Sequence, residues 1–250
     1  GGRTEKKEDE RRTVRRLPAR LCLPLLLIAA AIAVHPNPSK ARSAGVDSFE
    51  PPAEVSGQGL YPAWEAAHRF LAAHSPYLAD PKERIRCLEA VLRASSIIAR
   101  EASAAGLFAG REEIFLLLVA QGMAESHGNP RAVSPQGDLG WAQINRSMLR
   151  VLGVEDPFDV AQNAAGQARH LRALLVNLRR RWGKEKDSEQ IIGLALAAYN
   201  ASSRVVRDGR LPSDGPIAAY VRRVMENYDL LRRDAWRMTA RLPRWKQRDA

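Results

Sequence analysis

The chain has 250 residues, 45% of them hydrophobic, and a formal net charge of +11; it is long and apolar enough for one large core with appendages. The charge is lopsided, because residues 1–44 hold 10 Lys/Arg against 4 Asp/Glu while the rest of the chain holds 29 against 24. Much of the charge surplus belongs to the N-terminal segment, which argues against a nucleic-acid-binding body.

Arg11, Arg12, Arg15, Arg16 and Arg20 precede the apolar run Leu21 to Val34, which ends in small, alanine-rich sequence. A basic segment, an apolar run and then small residues is the pattern of a secretory signal peptide. The run falls short of the ~20 residues that span a bilayer comfortably. Residues 1–34 are therefore expected to be a signal peptide or an N-terminal anchor, and the rest is expected to be exported to the periplasm or cell envelope. Membrane contact is expected only if this segment stays uncleaved. Cys22 precedes most of the apolar run and reads as a passive leader residue. Residues 35–60, rich in Pro, Ser, Gly and Ala, read as a linker.

From Tyr61 the pattern turns helical, with Trp64, Ala67, His68, Leu71 and Ala72 at three- and four-residue spacing. Pro76 and Pro81 break it, and a second helix is expected over Lys82 to Gly106, with Cys87 as a small buried hydrophobe. Residues 61–106 form a helical extension in which His68 and His74 have no metal-ligand company. A main domain is expected over 107–235. It opens with a helix from Arg111 to Ser126, followed by a loop over 127–143 marked by Asn129-Pro130, Ser134-Pro135 and Gln136-Gly137. A short helix is expected over Ser147 to Leu152, ended by Gly153. Asn163 to Trp182 carries Leu171, Leu174, Leu175 and Leu178 on one face, with Gly183 as C-cap. Asp187-Ser188 should cap a helix over Glu189 to Asn200, and Ile217 to Arg233 reads as a further amphipathic helix before a basic tail over 236–250. Arg179 to Arg181, Arg222-Arg223 and Arg232-Arg233 read as solvated helix faces. No segment alternates with period two, so the fold class expected is all-α.

One carboxylate stands out. Glu125 sits at the exit of the apolar run Ile114 to Ala120 and is followed at once by turn residues. Partial burial and the negative end of a helix both disfavour an ionised carboxylate, which suits a group that must donate a proton near neutral pH.

Three blocks around it resemble a known family. They are Glu125-Ser126-x-x-Asn129-Pro130-x-Ala132-x-Ser134-x-x-Gly137-x-x-Gly140-x-x-Gln143-Ile144-Asn145, then Ala195 to Ala201 with Tyr199-Asn200, then Ala219-Tyr220-Val221-x-x-Val224-x-x-x-Tyr228. In this order they resemble the soluble lytic transglycosylase (SLT) domain of the lysozyme-like superfamily. The resemblance runs from about Glu113 to Leu231. It implies a lysozyme-like helical domain of goose/SLT type, here with an extra N-terminal helical segment. Asp138-x-Gly140-x-x-Gln143-Ile144-Asn145-x-Ser147-x-Leu149 is most similar to the small transglycosylases that accompany secretion systems, which makes a secretion apparatus an expected partner.

The resemblance further implies cleavage of the MurNAc-β-1,4-GlcNAc bond of peptidoglycan strands, with Glu125 as acid and then base and with neither metal nor cofactor. Ser134 and Gln143 would line the cleavage subsites, and Tyr199, Asn200 and Tyr220 would reach the cleft, where a Tyr hydroxyl beside Glu125 would hold it. Turn capping by Ser134 and solvation of Gln143 are the plainer uses. For Trp141, sugar stacking and packing suit the position equally. Ser202 and Ser203 stand where the family has Gly after its Ala-Tyr-Asn-Ala, Gly166 comes one place before the family's helix glycine so that Gln167 takes that position, and Asp138 replaces a frequent Ala. A hydrolytic muramidase on the same scaffold and a peptidoglycan-binding assembly factor with little catalysis are the alternatives.

Overall fold

The computed structural model describes residues 60–241 together with Val55. The signal peptide or anchor expected over 1–34, Cys22, nearly all of the linker and the tail beyond Arg241 lie outside the described residues.

Helix α1, Tyr61–His74, begins on Pro62, whose fixed φ suits a first turn, and buries Ala63, Trp64, Ala67 and Leu71. Helix α2, Pro81–Ala104, is capped by Asp80, whose side chain accepts from the Lys82 N–H. It ends two residues before the expected Gly106, which adopts φ +64°. Helix α3, Arg111–Ser126, is buried at every position from Ile114 to Ala124, as befits a helix with neighbours all round.

Helix α4, Val160–Trp182, starts three residues before the expected Asn163, because Asp159 caps it by accepting from the Gln162 N–H. Asn163 thereby falls inside the first turn with its side chain turned inward. Helix α5, Ser188–Asn200, opens on a reciprocal capping box between Asp187 and Gln190. Helix α6, Gly215–Arg241, runs eight residues beyond the expected Arg233 and takes in the start of the expected basic tail. No Pro or Gly interrupts Ile217 to Arg241, and charge alone does not stop a helix. The short helix expected over Ser147 to Leu152 is instead a single 3₁₀ turn, Arg146–Met148. There the Asn145 side chain accepts from both the N–H and the hydroxyl of Ser147, holding the chain in a tight turn.

Among the described residues there is no strand, only two isolated bridges, Val133 with Leu139 and Leu139 with Ile144. Helix α3 runs against α2 on one side and α6 on another; α2 also packs on α4, α1 on α6, and α5 on α4 and α6. The extension over 61–106 shares this core: Trp64 stacks on Phe115 with centroids 6.2 Å apart and planes 9° from parallel. Cys87 is buried, and burial pushes its thiol pKa well up, leaving it an inert hydrophobe. Arg84 donates to His68 and to the Leu78 carbonyl, while His74 lies against Phe70. Among the described residues no helix is long and apolar enough to cross a membrane, and no group of three His, Cys, Asp or Glu could hold a metal ion.

Candidate active site

Helix α3 carries Glu125 in its last turn and stops because His127 adopts the left-handed conformation, φ 55°. The His127 side chain is exposed. The loop over 127–145 then folds back beside the helix end. Ser126 donates its hydroxyl to the Trp141 carbonyl at 2.8 Å. From α4, the buried Asn163 donates to the carbonyls of Leu139 and Pro157 and accepts from the Ala142 N–H at 2.8 Å. Gly140, at φ +77°, leaves the room this requires, since a Cβ there would fall 2.2 Å from the Pro157 oxygen.

Glu125 is half-buried, and its carboxyl pKa is pushed up to about 8. Burial is the main cause; the Asp138 carboxylate adds to it, while the Tyr220 hydrogen bond and the Arg223 charge act in the opposite direction. Tyr220, from α6, donates its hydroxyl to Glu125 Oε1 at 2.5 Å. Burial first, and then the Glu125 charge, raise the Tyr220 pKa well above the ordinary phenol value, so the phenol keeps its proton.

The other expected site residues are placed as follows. Tyr199 spends its hydroxyl on the Ala142 carbonyl at 3.0 Å, fastening the loop to α5, and its ring lies 4.7 Å from that of His170. It stays close enough for the Glu125 charge to raise its pKa, although burial does more. The hydroxyl that meets the acid is thus that of Tyr220. Asn200 ends α5 half-buried, and its amide meets no hydrogen-bond partner among the described residues. Ser134 closes its own turn: its Oγ accepts from the N–H groups of Gln136 and Asp138 and donates to Asp138 Oδ2. Gln143, at φ 48°, donates its amide to the carbonyls of Ala132 and Gly140. Neither Ser134 nor Gln143 bonds to Glu125. Trp141 is packed: it is fully buried, and its indole occupies the space that a Cβ on Gly122 would need. Asp138 has both oxygens engaged, one with Ser134 and the other with Asn145.

Two buried amides were not anticipated as part of the site. Gln121 donates to Tyr220 Oη at 3.2 Å and accepts from Gln167 at 3.0 Å. The one signal for Gln121 is a lone amide within the otherwise apolar stretch Ile114 to Ala124. Gln167 drew notice only for standing at a glycine position, and Gly166 next to it provides the close packing, facing Val154 and Ile144. A cavity of about 680 Å³ lies elsewhere, lined by Glu112, Glu113, Arg232 and Trp236 among others, and includes none of these residues.

A half-buried carboxyl that stays mostly protonated below about pH 8 and is gripped by a phenol has the chemistry of a proton donor. Residues 104–213 match the family model described as "Transglycosylase SLT domain". This segment is an SLT domain. Its lysozyme-like helical fold agrees with the all-α architecture. The matched range stops before Tyr220, so that residue's place at the acid comes from the geometry of α6.

Among curated proteins, the chain is similar to "Membrane-bound lytic murein transglycosylase F 1" of Alkalilimnicola ehrlichii, 35% identical over 94 residues, which cover 38% of this chain and 18% of that protein. The "Membrane-bound lytic murein transglycosylase F" of Saccharophagus degradans is 36% identical over 95 residues, covering 38% of this chain and 18% of the relative. That of Klebsiella pneumoniae is 37% identical over 93 residues, covering 36% and 17%. The chain spans less than a fifth of the length of these curated relatives.

Proposed function

We propose that this protein is a peptidoglycan lytic transglycosylase of the cell envelope, cleaving the MurNAc-β-1,4-GlcNAc bond without water. The observation that carries the reading is Glu125, a carboxyl biased towards its neutral form and oriented by Tyr220 inside an SLT domain. Glu125 donates its proton to the bridging oxygen as the C1–O4 bond breaks. The resulting carboxylate then takes the proton of the muramoyl 6-hydroxyl, whose oxygen bonds to C1 and closes a 1,6-anhydro ring. The proton balance is nil, so one carboxyl can serve both steps. A glycosidase that uses water or a covalent intermediate needs a second carboxylate. Asp138 is the available one, and its oxygens are committed to Ser134 and Asn145, which favours the single-carboxyl route over the muramidase alternative.

Asn200, with its amide uncommitted among the described residues, is the group we assign to an N-acetyl sugar. Ser134, Gln143 and Tyr199 shape the subsites through the loop they close or fasten. The relatives are named as membrane-bound murein enzymes, which supports an envelope location here. A secretion-apparatus partner rests on the Asp138 to Leu149 motif alone.

Purified sacculi incubated with the protein and with Glu125→Gln test the reading. Solubilisation by the first, and a loss of roughly a hundredfold or more in the second, is the expected result for removal of a general acid. Equal solubilisation by both would remove Glu125 from the reaction, and no solubilisation by either would move the protein to the wall-binding assembly-factor reading.

A further inference from the structure

A continuous buried chain of hydrogen bonds leads to the acid. The Trp141 indole N–H donates to Gln167 Oε1 at 3.1 Å. Gln167 Nε2 donates to the Leu118 carbonyl at 3.1 Å and to Gln121 Oε1 at 3.0 Å. Gln121 Nε2 donates to Tyr220 Oη, and Tyr220 donates to Glu125 Oε1. Trp141, Gln121 and Gln167 are all fully buried.

The direction of this chain follows from donor and acceptor chemistry. An indole nitrogen can only donate and a backbone carbonyl can only accept. Trp141 therefore requires the oxygen of Gln167, and Leu118 requires its nitrogen, which fixes that amide from both ends. If Gln121 were flipped, two NH₂ groups would face each other in a dry interior, leaving buried donors unsatisfied. With Gln121 held, Tyr220 Oη already receives a hydrogen, and its own hydrogen has Glu125 Oε1 as the acceptor.

We propose that Gln121 and Gln167, anchored by Trp141, are positioning residues that lock Tyr220 as a donor to Oε1 of Glu125 and so keep the transferable proton on Oε2. This rests on the reading of Glu125 as the acid. A carboxyl whose two oxygens exchanged roles would present its proton to the sugar bridge only part of the time. The groups facing Glu125 are Tyr220 and Arg223 from α6, Tyr199 from α5 and Asp138 from the loop; none of them reverses the phenol, whose other hydrogen bond among the described residues is to Gln121.

The test uses Gln121→Met and Gln167→Met, which keep length and volume and remove the amide. The readouts are a carbon-13 NMR titration of the Glu125 carboxyl and the pH profile of wall cleavage. Without the relay, Tyr220 can turn to accept from the protonated acid, and the neutral form gains a partner. Both variants should raise the Glu125 pKa by roughly half a unit or more. They should also lower kcat about tenfold with KM little changed. Trp141→Phe, which deletes one N–H and keeps a ring, should shift the titration in the same direction by less, and it serves if either Gln variant fails to fold. Folded variants whose Glu125 titrates as in the unaltered protein would overturn the relay. A shifted titration in a protein that leaves wall material intact would uphold the relay and remove the proposed reaction.

Discussion

Ser75 donates its hydroxyl to the carbonyl of His127 at 2.8 Å, across 52 residues of sequence. His127 is the left-handed residue that ends α3 two positions after Glu125, so the connection between α1 and α2 holds the helix end that carries the acid. Gly128 comes close enough to pack directly on Ser75, since a Cβ there would lie 2.6 Å from the Ser75 hydroxyl. The N-terminal helices thus contribute a clasp to the site as well as core.

Ser75→Ala should lower stability by about 1 kcal/mol, the usual net worth of such a bond. Thermal unfolding checks this, and a fall in wall cleavage at temperatures well below the transition would show that the helix end has loosened.

Gly122→Ala should be far more damaging. A Cβ at Gly122 would fall 2.0 Å from the Trp141 ring, and a fully buried indole has nowhere to retreat. Overpacking of this kind costs about 1–3 kcal/mol or more. A red shift of tryptophan emission together with lost activity would report displacement of the ring; unchanged emission and activity would contradict the packing described.

The pH dependence of stability has a definite sign. Glu125 is raised from 4.5 to about 8 in the folded protein, so its contribution is fully present below pH 4.5 and is lost as pH rises through 8. Glu125→Gln, which stays neutral, should match the unaltered protein near pH 4 and be the more stable of the two at pH 9. Discounted for the half-buried setting, the gain is on the order of 2 kcal/mol. Paired melting curves at the two pH values measure it.

Tyr220→Phe removes a hydrogen bond that lowers the Glu125 pKa. The alkaline limb of the activity profile should therefore move to higher pH, while the rate falls because the carboxyl is no longer oriented. Initial rates between pH 5 and 10 separate this from simple loss of folded protein, which lowers the rate without moving the limb.

The helices were legible because their signals are local: Asp187 caps the start of α5 and leucine spacing marks the buried face of α4, while the start of α4 was missed where the Asp159 cap went unread. The end of α6 was misread because a run of charges looks like a tail, although nothing in it breaks a helix. Glu125 was legible for the same local reason, being a lone carboxylate at the exit of an apolar segment. Gln121 and Gln167 were not legible as partners, since 46 residues separate them and they meet only through the packing of α3 beside α4. Tyr199 and Tyr220 both looked able to reach the acid, and only the direction each ring takes from its helix separates the one that fastens the loop from the one that grips the carboxyl.

The central claim is most directly tested by mass spectrometry of the muropeptides released from purified sacculi. The account predicts products ending in 1,6-anhydromuramic acid, absent when Glu125→Gln replaces the unaltered protein. Products one water heavier, with reducing ends, would contradict it and show that a water molecule, and a base to activate it, complete the reaction instead.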